Sequence, residues 1–273
     1  MRVEACCQSL LAEILPEIDP QKKGYCIDVG VGTFAFYCEV FAKLGYPTVA
    51  VEPLPVKKLK QISTRHNIKL IEKCLSNLDG KQLLYLGSFA GLFKRKFSTH
   101  TADWFGSSGK TKEIESISLP TLLEDIKPAQ ITCLKLDIEG WEFNIIEQLP
   151  SIPHHLLPKV IMFEYGGGVN KNQGEKGWSK DFLAKTLNCL SVLKDCGYGS
   201  SLMIDFAPRT QEKHFDLRSR NLDTDPLFSD QSVYGNIISL KDATISPEKI
   251  QAICQPYYNA SLIDLVVNAL VSR

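Results

Sequence analysis

The feature that most limits what this chain can fold into is a series of short, doubly apolar segments that each run into a carboxylate or a glycine. Tyr25-Cys26-Ile27-Asp28-Val29 is followed at once by Gly30-Val31-Gly32-Thr33. Val49-Ala50-Val51 runs into Glu52-Pro53, and Leu134-Lys135-Leu136 runs into Asp137-Ile138-Glu139-Gly140. Strands that are apolar on both faces belong in parallel sheets covered by helices. Further strand candidates lie at 69–74 and 159–164, and helical spacing fits 33–44, 54–65, 119–125, 141–148 and 179–195. This β-α alternation predicts an α/β fold, a doubly wound, mostly parallel sheet. Two later strand candidates, 200–205 and 232–240, have no clear helix between them. They are expected to end a seven-stranded, Rossmann-like sheet as an antiparallel hairpin.

A leading helix is read over 3–18 from Val3, Cys6, Cys7, Leu10, Leu11, Ile14 and Leu15, with Pro20 and Gly24 beyond its end. The expected organisation is a helical extension at 1–22, one α/β domain at 23–245 and C-terminal helices at 246–273. Within the domain, Gln82–Leu86 and Ile114–Ser118 are read as short strands, 88–112 between them and 206–231 further on are expected as inserted loops, and the first loop is expected to shape an acceptor site. The apolar stretch Ala260–Val271 is expected to dock on the domain or on a second copy, which makes a homo-oligomer one expectation.

Composition narrows the function classes. The 31 basic and 31 acidic side chains cancel, which argues against a nucleic-acid partner, whose phosphates call for a basic surface. Nine cysteines without a C-x-x-C pair suggest neither a zinc site nor a disulfide framework. Glu4, Glu13 and Glu17 interrupt the apolar N-terminal residues, so no secretory pattern is read, and no run is long enough for membrane insertion. A cytoplasmic location is the expectation.

Gly30 and Gly32 let the chain turn sharply after a strand and bring backbone N–H groups close to a ligand. Asp28 either orders that loop or binds a ligand ammonium. Glu52, 24 residues after Asp28, stands where a carboxylate accepts both hydrogen bonds of a ribose diol. Asp137 and Glu139 alternate along extended chain and so point the same way, and Gly140 allows the turn into the next helix. Ligands of open α/β sheets bind at the carboxyl ends of the strands. Asp28, Glu52, Asp137, Glu139 and Glu164 all fall at such ends. So many acids near one crevice suit a cationic cofactor, sugar hydroxyls or a divalent metal such as Mg. Asp137 and Glu139 are the first candidates for acceptor or metal contact, His100 is a candidate base, and Glu164 a candidate acceptor contact. A nicotinamide-dependent Rossmann enzyme and a cofactor-binding module without turnover remain alternatives.

Taken together, these motifs resemble the FkbM family of S-adenosylmethionine-dependent methyltransferases over residues 24–165. Asp28-Val29-Gly30-Val31-Gly32-Thr33-Phe34 is similar to the family's opening loop, with Phe34 where the family commonly has Gly. Val51-Glu52-Pro53-Leu54-Pro55 resembles its Phe-Glu-Pro-x-Pro segment. Cys74-Leu75-Ser76-Asn77 resembles its Ala-Leu-Ser segment, and Lys135-Leu136-Asp137-Ile138-Glu139-Gly140 its Lys-Ile-Asp-Val-Glu-Gly signature. Ser107-Ser108 precedes a strand much as in the family. The resemblance implies a class I methyltransferase fold and an S-adenosyl-L-methionine cofactor held by Asp28, Gly30, Gly32, Glu52, Pro53, Leu75, Ser76 and Asp137. Adenine is expected at Leu75 and Ser76, and Ser107, Ser108 and Glu164 are expected to face the acceptor. It also implies O-methylation of a small-molecule hydroxylated acceptor, such as a sugar, glycan or polyketide.

Overall fold

The computed structural model describes residues 1–33, 35–89, 93–99, 107–166, 180–206, 210–222, 227–228 and 234–258, with the backbone alone at 85–89, 93–99, 107–110 and 180. In chain order it opens with α1 (Val3–Ile18), β1 (Tyr25–Val29), α2 (Tyr37–Leu44), β2 (Thr48–Val51), α3 (Lys57–His66) and β3 (Lys69–Ile71). β4 (Cys74–Ser76), β5 (Gly80–Phe89), β6 (Phe93–Thr99) and β7 (Ser107–Ser118) follow. Next come α4 (Leu119–Ile126), β8 (Ile131–Leu136), α5 (Glu142–Ile146), β9 (Val160–Gly166) and α6 (Lys180–Asp195). The chain closes with β10 (Tyr198–Asp205), β11 (Lys213–Asp216), β12 (Tyr234–Lys241) and α7 (Pro247–Cys254).

The main sheet has the order β11-β10-β12-β9-β8-β1-β2-β3. Strands β9, β8, β1, β2 and β3 run parallel, and β12 and β10 close the sheet antiparallel, as their missing crossover helix predicts. The described sheet has eight strands rather than seven because Lys213–Asp216, inside the stretch expected as a loop, pairs with the free edge of β10. Each face of the sheet has its own core. Ile27, Val29, Leu134, Leu136, Ile161 and Phe163 pack towards α4, α5 and α6. Cys26, Cys133, Met162 and Ile238 pack with α1, α2 and α7.

A second sheet, β4-β7-β5-β6, corrects the expected loop at 88–112. β5 and β7 form a long antiparallel ladder from Gly80↔Ser116 to Gly87↔Ser107. Among its described side chains, Cys74, Leu84 and Ile114 form a small apolar cluster of their own, Leu75 and Ile117 are buried in the main core, and exposed cross-strand partners such as Lys81 and Glu113 sit 2.8 Å apart. The expected short strands at 82–86 and 114–118 fall inside β5 and β7, whereas the Gly-, Ser-, Lys- and Phe-rich sequence between them gives no strand pattern, so β6 and the outer part of the ladder read as loop. The candidate strand 69–74 is also split, because β3 joins the main sheet and β4 the second.

α1 lies across the main sheet and fully buries Cys6, Cys7, Leu10, Leu11, Ile14 and Leu15. Transfer of side chains of this kind from water gives about 1.5–3 kcal/mol for each large one, which seats the helix firmly. α7, capped by Ser246 through Lys249 N (3.2 Å), packs beside α1, where the Cys6 and Cys254 sulfurs meet at 3.5 Å. The expected docking stretch 260–271 lies outside the described residues. Among the described residues, no helix is long and apolar enough to cross a membrane.

Candidate active site

β1 ends in a turn that the rest of the fold makes obligatory for glycine. Gly30 has φ +69°, and a Cβ there would lie 1.7 Å from the Asp137 carbonyl oxygen. The two strand ends therefore touch, backbone against backbone, and Asp137 N donates to Val29 O at 3.1 Å. Gly32 also has positive φ, +61°, but a Cβ there would meet nothing within 4 Å. The first glycine serves close packing, whereas the second faces open space of the kind a ligand fills.

Glu52, at the end of β2, shapes this turn. Its carboxylate accepts from Gly32 N at 3.1 Å and from Leu54 N at 2.9 Å. Burial raises its pKa, partly offset by those two N–H donors and by Lys135. Each carboxylate oxygen uses one lone pair on the backbone and keeps another for a ligand hydroxyl. Pro53 follows, half-buried.

Asp28 is wholly buried. It accepts from Cys38 N in the first turn of α2 at 2.8 Å and lies 3.2 Å from the Lys135 ammonium. Of the two roles open to it, this geometry supports ordering the loop and the start of α2, where the helix dipole favours an anion.

Lys135 is the residue whose role the sequence did not announce. It is 1% exposed and sits between the two strand-end acids, its Nζ 3.2 Å from Asp28 and 3.4 Å from Asp137. It also donates to the carbonyls of Val29 and Gly30 at 3.4 and 3.3 Å, and lies 5.2 Å from the centre of the Tyr37 ring. Burial alone would push its pKa down, but Asp28, Asp137 and Glu4 outweigh that and hold it well above its ordinary value. The signal in the sequence was a cation inside a strand with both faces covered, a place that requires paired charges.

Asp137, Glu139 and Glu164 each bring a carboxylate oxygen within 4.8 Å of the others. These are the oxygen donors a divalent cation such as Mg would use. Glu139 and Gly140 both have positive φ, +58° and +89°, which turns the chain sharply after β8. Desolvation raises the pKa of the partly buried Glu164 well above the usual carboxylate range, and Asp137, Glu139, Glu142 and Glu4 add to the rise. Glu142 is pushed up to about 7, again first by burial, while its carboxylate accepts from Ile138 N at 2.8 Å. Beside Glu164 lies a small cleft walled by Glu142, Phe143, Phe163, Tyr165 and Phe182.

The remaining expected residues are more dispersed. Leu75 is buried in the main core. Ser76 is buried, donates to Gln82 Oε1 at 2.9 Å, and its carbonyl accepts from Gln148 Nε2 at 3.1 Å. The Cys74 that opens their strand is close enough to Glu52 for that acid to raise its pKa, after burial. Ser107 and Ser108 are placed by backbone at the start of β7 in the second sheet. Phe34 and His100 lie outside the described residues.

The residues fit an adenosyl amino acid. A glycine faces open space, an acid with free lone pairs stands at the second strand end, and further carboxylates flank the first turn. Residues 24–199 match the model of the methyltransferase FkbM domain. Among solved structures, the chain is similar to a precorrin-6y C5,15-methyltransferase from Geobacter metallireducens GS-15, with 16% identity, 86% of this chain and 87% of that chain covered, and a TM-score of 0.40. No curated protein matches the chain.

Proposed function

The chain belongs to the FkbM methyltransferase family, and from that premise we propose that it transfers a methyl group from S-adenosylmethionine to a hydroxyl of a sugar-like or natural-product-like acceptor. The family implies the cofactor; the acceptor class is our reading. The observation that carries it is the meeting of two strand ends. Glu52 and the Gly30–Gly32 turn stand on one side, and Asp137 with Glu164 on the other, joined where Gly30 abuts the Asp137 backbone.

S-adenosylmethionine, when bound, supplies an electrophilic methyl group. Glu52 would hold the ribose diol, the Gly30–Gly32 backbone would lie along the amino-acid tail, and Leu75 and Ser76 would border the adenine. Asp28 and Lys135 do not touch the ligand in this reading; they fix the turn and the Asp137 side chain. The chain's contribution to such a transfer is mostly orientation and exclusion of water. An acceptor hydroxyl must also lose its proton. Asp137 and Glu164 stand side by side at the strand ends and supply carboxylates for that purpose. Phe143 and Phe182, near Glu164, are half-buried aromatic side chains of the kind that stack on the apolar face of a sugar or polyketide ring.

The test is transfer from S-adenosylmethionine carrying a radioactive methyl group to a panel of glycans and polyketides. Label recovered as a base-stable methyl ether supports the reading. Label on nitrogen or carbon, or none on any hydroxylated acceptor while the cofactor still binds, refutes the acceptor class.

A further inference from the structure

α1 lies outside the matched region 24–199, yet its first turn reaches the carboxyl edge of the sheet. The half-buried Glu4 carboxylate accepts from Tyr37 Oη at 2.7 Å and from Asn236 Nδ2 at 3.2 Å. Register places the second of these partners in the site, because Asn236 on β12 pairs with Glu164 on β9. The side chains at 28, 135, 164 and 236 share the sheet face that α1 covers, two residues on from Cys26, Cys133, Met162 and Ile238. Glu4 also helps raise the pKa of Lys135 and Glu164, while desolvation and then Asp137 raise its own. The groups facing it are therefore Tyr37 of α2, Lys135 and Asp137 at β8, Glu164 of β9, Asn236 of β12 and Cys7 of its own helix.

Two features hold this turn in place. Arg2 N donates to the Tyr257 carbonyl at 2.9 Å and the Arg2 guanidinium to the Pro256 carbonyl at 2.7 Å. Val3, Cys6 and Cys7 are buried beneath it. A carboxylate in such a setting needs its hydrogen bonds, and here both come from residues that line the site.

We propose that Glu4 is a positioning residue of the methyl-transfer site, fixing Tyr37 and Asn236 and adding a negative charge beside Asp137 that favours the ammonium group of the cofactor's amino-acid end. This rests on the methyltransferase reading. It makes α1 part of the working unit, contributed from outside the family domain. Glu4 acts on the ligand through the field at Asp137 and through its two anchors, so its effect follows the presence of the ligand's ammonium group.

The experiment compares binding of S-adenosylhomocysteine, which carries the ammonium tail, with binding of 5′-methylthioadenosine, which lacks it. Both are titrated calorimetrically at pH 8 into the full chain and its Glu4→Gln variant. The expected result is a roughly three- to tenfold loss for S-adenosylhomocysteine, the scale of one partly screened charge, with 5′-methylthioadenosine unchanged and partial recovery in Glu4→Asp. Equal weakening of both ligands would make Glu4 a purely structural anchor of α1 and overturn the proposal, as would no change in either. If Glu4→Gln does not fold, Tyr37→Phe replaces it: the ring stays over Lys135 and one anchor of Glu4 is lost. At least a twofold fall in the preference for S-adenosylhomocysteine is then expected, and an unchanged preference overturns the proposal. If the wild-type chain binds neither ligand, the methyltransferase reading itself fails and the inference falls with it.

Discussion

Lys135→Met is the substitution that most directly probes how the site is built. It removes a cation from between two carboxylates at 3.2 and 3.4 Å, at a position 1% exposed. At an effective dielectric of about 20, each contact is worth roughly 5 kcal/mol of gross attraction. Most of that offsets the cost of burying the charges. What remains after truncation is Asp28, wholly buried, without its cation and held by the bond from Cys38 N. Breaking one side of a buried pair costs about 3–5 kcal/mol. For a domain of this size that is a fall in melting temperature of about 6–15 °C. The raised pKa of Lys135 means its contribution is fully present below the unfolded-state pKa of about 10.5 and is lost only as pH rises through the still higher folded value. The penalty should therefore be the same at pH 6 and pH 9. Thermal unfolding followed by circular dichroism gives the number, and the double variant Lys135→Met/Asp28→Asn should recover part of the loss. A fall of less than about 2 °C, or no recovery in the double variant, would refute the view that a buried ion pair joins the two strand ends.

Three other perturbations follow from the same geometry. Gly30→Ala places a Cβ 1.7 Å from a backbone oxygen and should unfold the turn, with a large drop in melting temperature; a near-normal value would refute the packing. Gly32→Ala meets nothing within 4 Å and should cost only about 1–2 kcal/mol for its positive φ, yet S-adenosylhomocysteine affinity should fall at least tenfold; unchanged affinity would mean that the open space is not the ligand's. Glu142 has its pKa pushed up to about 7, so the fold favours its neutral form and loses stability as pH rises from the ordinary carboxylate value through 7. Glu142→Gln should therefore gain on the wild type by about 2–3 kcal/mol between pH 5 and pH 8, and a difference independent of pH would contradict the assigned burial.

How much of this was legible in the sequence depended on how local each signal was. The strand-turn-helix around Gly30 and Gly32, the carboxylate at Glu52 and the Asp137–Glu139 pair are each carried by fewer than ten neighbouring residues, and all fall at the edge where they were expected. Lys135 and Glu4 were missed for the opposite reason. Each stands in a stretch that reads as ordinary strand or helix, and its partners lie on other elements, Glu4 and Asn236 being 232 residues apart. Of the second sheet, the inner halves of β5 and β7 were legible as the short strands 82–86 and 114–118, but their pairing into a sheet with β4 and β6 was not, because β6 and the outer part of the ladder lie in sequence rich in Gly, Ser, Lys and Phe. β11 escaped because four residues on a sheet edge resemble a loop until β10 is there to receive them.

The central claim is that the turn at Gly30–Gly32 and the carboxylate of Glu52 form an S-adenosylmethionine site. Calorimetric titration of S-adenosylhomocysteine into the wild-type chain and into Glu52→Ala tests it most directly. One-to-one binding at micromolar affinity that is lost in a variant still folded by circular dichroism is the predicted result. No binding to the wild type, or equal binding to both, would contradict it.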